Sequence, residues 1–311
     1  MSASIIEVAA AVLLHGDGSF LLAQRPAGKA YAGYWEFPGG KMEAGESPLH
    51  ALRRELHEEL GIEIDAAYLW LTRVFAYPHA TVRLNFFRVV RWQGEPHGRE
   101  GQLLSWQTLP DLAVGPLLPA NIPILRALQL PSLYAISNAA ELGSEEFLRR
   151  LQYALREGLR LVQLREKNLP RTAMRELSQR VLELAHAHGA QVLLNGDVEL
   201  AQEVGADGVH LSSAQLAACS VRPAMELCAA SCHDAGELRR ASELGLDFAV
   251  LSPVLPTPSH PGAAHLGWAG FGALAAASGI PVYALGGLRR EDMETAWQHG
   301  AHGIALLRQA W

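Results

Sequence analysis

From Leu133 to Leu307 short apolar segments recur with helical or loop stretches between most of them: LYAIS, LVQLR, QVLLN, GVHL, ELCAAS, FAVLS, PVYAL and GIALL. Segments this short and this rich in branched residues read as buried strands. Eight of them in β/α alternation predict a closed (β/α)8 TIM barrel. An internal echo supports this reading: VGADGVHL, LGLDFAVL and HGAHGIAL each carry a glycine where a helix ends and a strand begins. That position favours left-handed backbone angles. The barrel is compact, and no full last helix follows its eighth strand before Trp311. The first domain or a second subunit, as in a homodimer, is expected to cover that side.

Residues before Leu130 follow a different pattern. EVAAAVLL, a GDG turn and FLLAQR read as two strands; LWLTRVFAY and TVRLNFFRVVRW add two more, rich in β-branched and aromatic residues. ANIPILRALQL reads as a closing helix. The prediction is a mixed α+β domain over residues 1–130, a short linker at Leu130–Ser132, and the barrel over 131–311. The chain has 311 residues, 49% of them hydrophobic, which suits two domains with real cores. Its net charge of -6 argues against a nucleic-acid polymer as partner. No apolar run is long enough for a membrane span, and MSASIIEVAA lacks a signal-peptide pattern, so the expected location is cytoplasmic. Cys219, Cys228 and Cys232 are then expected as reduced thiols, the spacing of Cys228, Cys232 and His233 fitting no zinc pattern.

The chemistry of the first domain sits between Gly39 and Ile62. A helix over Ser47–Leu60 puts Leu49, Leu52, Leu56 and Leu60 on one buried stripe. Glu55, Glu58 and Glu59 lie off that stripe and share an accessible side. Like charges this close need a compensating cation, and hard divalent cations prefer carboxylate oxygens. The Gly39–Gly40 pair is expected to let backbone approach metal or phosphate without a Cβ in the way. Arg54 can hold one glutamate in place. The bland alternative is an acidic helix paired with Arg53 and Arg54. The complete spacing decides between them: Gly40, five residues, Glu46, seven residues, then Arg54-Glu55-Leu56-x-Glu58-Glu59-x-Gly61-Ile62.

This segment resembles the Nudix box, and EFPGGK, RWQGEPHGREGQ and LPANIPIL extend the resemblance to the MutT-type 8-oxo-dGTP diphosphatases over residues 4–128. The resemblance implies Mg2+-dependent hydrolysis, with Mn2+ an alternative ion. Water would attack the inner phosphorus, releasing a nucleoside monophosphate and pyrophosphate. It implies Glu55, Glu58, Glu59, Glu100 and Arg54 as catalytic candidates. Gly39, Glu55, Glu58, Glu59 and Glu100 are the metal candidates. It places Arg25 near the phosphates, Phe37 near the base and Asn121 where the purine is read. Each of these three also has a bland reading: surface charge, core residue and helix N-cap. Oxidised guanine carries N7–H where guanine has an acceptor, so the Asn121 carbonyl can discriminate between them.

The barrel resembles thiamine phosphate synthase and the related thiazole tautomerase, through VQLREKNL, LLNGDVELA, GADGVHL, Ser231-x-His233, SPVLPT and ALGG. The resemblance implies a site from Gln163, Arg165, Lys167, Asn195, Ser231, His233, Thr257, Gly286 and Gly287, at the C-terminal ends of strands. It departs from the synthase where Mg2+ is held. Gly196 stands for one aspartate, with Asp197 beside it, and Gln215 stands for the other. The synthase's threonine-lysine is replaced near Ser259–His260, and Arg308 replaces a small phosphate-site residue. Three readings stay open for the barrel: a tautomerase-like enzyme or binder of thiazole phosphate with His233 as acid/base, a synthase using Asp197, and a silent regulatory barrel. For the whole chain, nucleotide-pool sanitation stands beside a thiamine-pathway alternative. In the latter the first domain would cut thiamine-related pyrophosphates.

Overall fold

Strand periodicity accounts for the first domain of the computed structural model, which describes residues 5–257, 262 and 264–311. In β1 (Ile6–Leu13) successive side chains face opposite ways. Ala9, Ala11 and Leu13 enter one core, while Ala10 and Val12 enter another. β2 (Phe20–Gln24), β3 (Trp35–Glu36) and β4 (Gly39–Lys41) follow, then helix α1 (Pro48–Leu60). The long hairpin of β5 (Glu63–Tyr77) and β6 (Ala80–Gln93) comes next, then β7 (Leu104–Gln107) and α2 (Ile122–Leu128). One sheet runs β4-β1-β6-β5, with β1 and β6 parallel, and a second runs β3-β2-β7.

α1 begins and ends where its sequence says it should. Ser47 is the N-cap, its hydroxyl accepting from His50 N at 3.3 Å, and Pro48 follows. Gly61 closes the helix in the left-handed region, φ 72°. Leu52, Leu56 and Leu60 are fully buried under the β1–β6 sheet.

The glycine pair is closely packed on both residues. A Cβ on Gly39, whose φ is +145°, would sit 2.1 Å from Ala9 O on the neighbouring strand. A Cβ on Gly40 would sit 2.1 Å from the Glu55 carboxylate. Close strand pairing needs the first glycine, and the second clears space for an acid of α1.

The chain divides between Gln129 and Leu130. Leu130–Ser132, expected as a linker, is built into the floor of the barrel. Leu130 is buried, and its carbonyl accepts from His302 Nε2 at 2.8 Å. Tyr283 Oη donates to Pro131 O, and Ile304 N donates to Ser132 O at 2.9 Å.

Eight parallel strands then close in order: β8 (Leu133–Ile136), β9 (Leu161–Leu164), β10 (Gln191–Asn195), β11 (Gly208–Leu211), β12 (Leu227–Cys232), β13 (Phe248–Leu251), β14 (Val282–Leu285) and β15 (Gly303–Leu306). Between them run α3 (Ala139–Leu142), α4 (Ser144–Arg156), α5 (Arg171–His186), α6 (Val198–Val204), α7 (Ser213–Ala218), α8 (Ala235–Glu243), α9 (Gly267–Ala275) and α10 (Met293–Gln298). Tyr134, Phe248 and Tyr283 fill the barrel axis, with ring centroids 5.1–5.8 Å apart.

The sequence echo marks a repeated joint. Gly205, Gly245 and Gly300 have φ of 71°, 68° and 80°. The aspartates two residues after the first two of these, Asp207 and Asp247, each accept a backbone N–H of a neighbouring strand, Val192 N and Cys228 N, at 2.7 Å.

After β15 there is only a 3-10 turn, Arg308–Ala310. Within the barrel, Trp311 itself occupies part of the side expected to be open. Its ring lies edge-on to Phe147 of α4 at 5.0 Å, and its Nε1 donates to Ile136 O at 2.8 Å. All three cysteines are free thiols, and burial pushes Cys232 up to about 12. No described helix is long and apolar enough to cross a membrane.

Candidate functional site

α1 points its acids away from the leucines, and Arg54 organises them. Its guanidinium donates to both Glu46 oxygens (3.1 and 3.0 Å), to Glu55 at 2.9 Å, to Glu58 at 3.2 Å and to Lys41 O at 3.0 Å. Arg54, with the Glu43 N–H, holds the Glu46 carboxyl down at about 2. Glu55 and Glu59 keep side-chain exposures of 15% and 16%, whereas Glu58 is 57% exposed and rests on Arg54. Burial pushes the Glu59 carboxyl up to about 7, with Lys29 opposing and Glu55, Glu100 and Glu36 adding repulsion.

The structure therefore gathers Glu55, Glu59 and Glu100 and adds two residues the sequence reading missed. Glu36 joins the acids, and Lys29 lies between two of them, 3.8 Å from Glu59 and 3.0 Å from Glu100. Glu36 could have been suspected from EFPGGK; Lys29 carried no signal, because only the fold brings its loop across. The Lys29 ammonium occupies the place of a compensating cation. Among the described residues no three His, Cys, Asp or Glu side chains are already drawn around one point. The donor set still fits a hard divalent ion, since it offers carboxylate oxygens and little else.

Arg25 is committed to Glu36, both carboxylate oxygens lying 2.6 Å from its Nη1. Phe37 is a core residue, packed between Phe20 and Phe86 at 5.9 and 6.0 Å. Asn121 differs from both. It stands at the N-cap position of α2 but makes no capping bond, and its Nδ2 is buried without a partner.

In the barrel all nine expected residues line one cavity of about 640 Å3. His210, Ser212, Ser213, Arg289 and Arg308 line it as well, and among the described residues no aspartate or glutamate does. Four cations thus line the cavity, Arg165, Lys167, Arg289 and Arg308, the last of them paired with Glu141. His233 Nδ1 lies 2.7 Å from Ser252 O, so it carries the proton and leaves Nε2 as the acceptor.

The two departures from the synthase pattern meet here. Gln215 Oε1 accepts from Ser212 N at 3.0 Å and from Ser212 Oγ at 2.9 Å, while its Nε2 donates to Gly196 O at 2.6 Å. A neutral staple thus ties the two loops. Asp197 is occupied as the N-cap of α6, accepting from Leu200 N at 2.8 Å, and pairs with Arg171 at 2.7 Å. It lines an adjoining cavity of about 230 Å3, with which the larger one shares Lys167 and Asn195. The expected substitution near Ser259–His260 lies outside the described residues.

Comparison with known proteins gives two family matches. Residues 133–310 match the model described as thiamine monophosphate synthase, and residues 6–128 match the NUDIX domain. A putative thiamine-phosphate synthase of Geobacter sulfurreducens is 38% identical over 182 residues, covering 57% of this chain and 84% of that protein. The 8-oxo-dGTP diphosphatase of Haemophilus influenzae is 42% identical over 128 residues, 41% of this chain and 94% of that one. The CTP pyrophosphohydrolase of Escherichia coli is 42% identical over 123 residues, 40% and 90% respectively.

Proposed function

The chain belongs to the Nudix family through its first domain and to the thiamine monophosphate synthase family through its second, and from that premise we propose that the first domain hydrolyses 8-oxo-dGTP to 8-oxo-dGMP and pyrophosphate. The observation that carries this reading is the unpartnered Asn121 amide in the same domain as the Glu55–Glu59–Glu100 group. A side-chain amide offers a donating NH2 and an accepting carbonyl oxygen side by side. Oxidised guanine presents N7–H next to a carbonyl oxygen, whereas guanine presents two acceptors there. Asn121 Oδ1 would accept from N7–H and Nδ2 would donate to the carbonyl, leaving neither buried group unpaired.

Glu55, Glu59, Glu100 and the Gly39 carbonyl would hold Mg2+ or Mn2+, with Glu58 an outer ligand reached through movement of Arg54. When bound, the metal supplies charge neutralisation of the polyphosphate and an acidified water. Arg54 orients Glu55 for this, and Lys29 would release Glu59 and Glu100 to a metal and turn to the phosphates. Phosphoryl transfer asks mainly for positioning and charge compensation, and this set provides both.

For the barrel the favoured reading is a metal-free site for a phosphorylated aromatic heterocycle such as thiazole phosphate. Arg165, Lys167 and Arg289 around the cavity support it, while Arg308 is paired with Glu141. The Gln215 staple and the commitment of Asp197 to Arg171 count against the synthase reading, which needs carboxylates to hold a pyrophosphate-bound metal. With its Nε2 open, His233 is the group that would move a proton.

Asn121→Ala tests the nucleotide reading. The kcat/KM ratio of 8-oxo-dGTP over dGTP should fall by roughly tenfold or more while turnover of dGTP itself changes little. Equal losses on both would contradict it, and a preference for CTP or thiamine pyrophosphate in the same panel would move the assignment to a different diphosphate.

A further inference from the structure

Three basic side chains lie among the acids of the first domain, and they are held differently. Besides pairing with carboxylates, Arg54 is tied to the backbone at Lys41 O and Arg25 at Ala30 O, at 3.0 and 2.7 Å. The Lys29 ammonium has no such anchor. Among the described residues its partners are two carboxylates, Glu100 at 3.0 Å and Glu59 at 3.8 Å, and its side chain is 47% exposed. The loop that carries it, between β2 and β3, is closed at its base. Arg25 N donates to Tyr34 O at 2.8 Å, and Gly33 N donates to Arg25 O at 2.9 Å. The loop is thus pinned while the four-carbon stem of Lys29 stays free to turn.

Glu59 and Glu100 cannot serve an ammonium and a divalent ion at once. Two cations drawn to the same carboxylates repel each other, and in a half-buried site that repulsion is only partly screened. If Lys29 simply turned out to water, it would give up both pairs and gain only hydration. A polyphosphate changes the balance, because its oxygens offer the ammonium a new charged partner. Arg25 and Arg54 would each have to break a backbone bond to make the same exchange. In the metal-free chain the ammonium also offsets the mutual repulsion of the two acids.

We propose that Lys29 is a positioning residue that couples the two ligands of the first domain: it holds Glu59 and Glu100 in the free protein and yields them to a divalent ion when a polyphosphate takes up its ammonium. This rests on the reading of these acids as a metal-binding group that acts on a phosphoanhydride. The free protein then binds either ligand weakly, and each ligand strengthens the other by the same factor. Metal and substrate load together, and the acids stay guarded between turnovers.

Two measurements on the full chain test this. In the first, Mn2+ is titrated into nucleotide-free protein and the free ion is followed by electron paramagnetic resonance. Lys29→Met removes the charge and keeps the stem, and it should bind Mn2+ roughly tenfold or more tighter than wild type. Lys29→Arg keeps the charge and should stay near wild type, which a lysine needed only for packing would not require. The second is calorimetric binding of inorganic tripolyphosphate with and without Mg2+. Wild type should gain affinity on adding Mg2+, and Lys29→Met should gain less, by about the factor seen with Mn2+. Equal Mn2+ affinities in wild type and Lys29→Met overturn the inference and leave the metal reading standing. Tripolyphosphate binding that is absent, or indifferent to Mg2+, in a wild type that binds Mn2+ does the same. Mn2+ binding by neither protein removes the metal reading and the inference with it.

Discussion

Gly40 and Glu55 share one space: a methyl group on Gly40 would land 2.1 Å from the Glu55 carboxylate. The obstructing atoms are the end of a flexible side chain, so Gly40→Ala should leave folding within about 1 kcal/mol of wild type. It should still displace Glu55 from its bond to Arg54, and a misplaced metal-binding acid costs rate. The expected result is a drop in nucleotide turnover of roughly tenfold or more with an unchanged denaturation midpoint. Full turnover in Gly40→Ala would show that Glu55 is not needed where it stands. At this scale the site was only half legible. Spacing along one helix gave Glu55, Glu58 and Glu59, because helical geometry is set by the sequence itself. Lys29 was not legible, since it lies on the loop between β2 and β3 that only the fold brings to the acids, and Glu36 had no signal beyond its place in EFPGGK. The open Nδ2 of Asn121 needed three dimensions as well; the sequence offered its place in LPANIPIL and its N-cap position, and no capping bond is made there.

Among elements, β11 carries a prediction of its own through His210. Its ring is buried and neutral, and its folded-state pKa is lowered to about 3 from an ordinary 6.5, burial being the first cause and Arg165 the second. Between those values the unfolded chain binds a proton that the folded barrel refuses, so stability is full above about pH 6.5 and falls as the pH drops towards 3. Near pH 4.5 the loss from this one group should be about 2–3 kcal/mol relative to pH 7. The measurement is denaturant unfolding at both pH values. His210→Asn should show that much less acid sensitivity than wild type; equal slopes would place His210 in a wetter environment than its burial indicates. Element by element, the barrel was the most readable part, because each strand is a short apolar run bounded by a turn. The first domain was read less fully. β3, β4 and β7 have two to four residues each, too few for any periodicity, and they are strands only because β1 and β2 pair with them. The parallel pairing of β1 with β6 is likewise a tertiary choice without a local signature.

At the level of the molecule, each unit has hydrophobic clusters of its own among the described residues. The two clusters of the first domain draw on residues up to Leu128, and the two barrel clusters begin at Leu130 and Leu133. A barrel fragment starting at Leu130 should therefore fold alone, whereas one starting at Leu133 loses a buried leucine and the carbonyls that His302, Tyr283 and Ile304 bond. The shorter fragment should be less stable by at least ~2 kcal/mol in urea denaturation. Equal midpoints would return Leu130–Ser132 to the role of a linker. The central claim concerns the first domain: its acids gather divalent ions to cut a phosphoanhydride. Its most direct test is the rate of 8-oxo-dGTP hydrolysis by the full chain, with Mg2+ and after chelation, for wild type and Glu59→Gln. The account predicts turnover that needs the metal and falls about a hundredfold or more in the variant; turnover that survives both chelation and Glu59→Gln would contradict it.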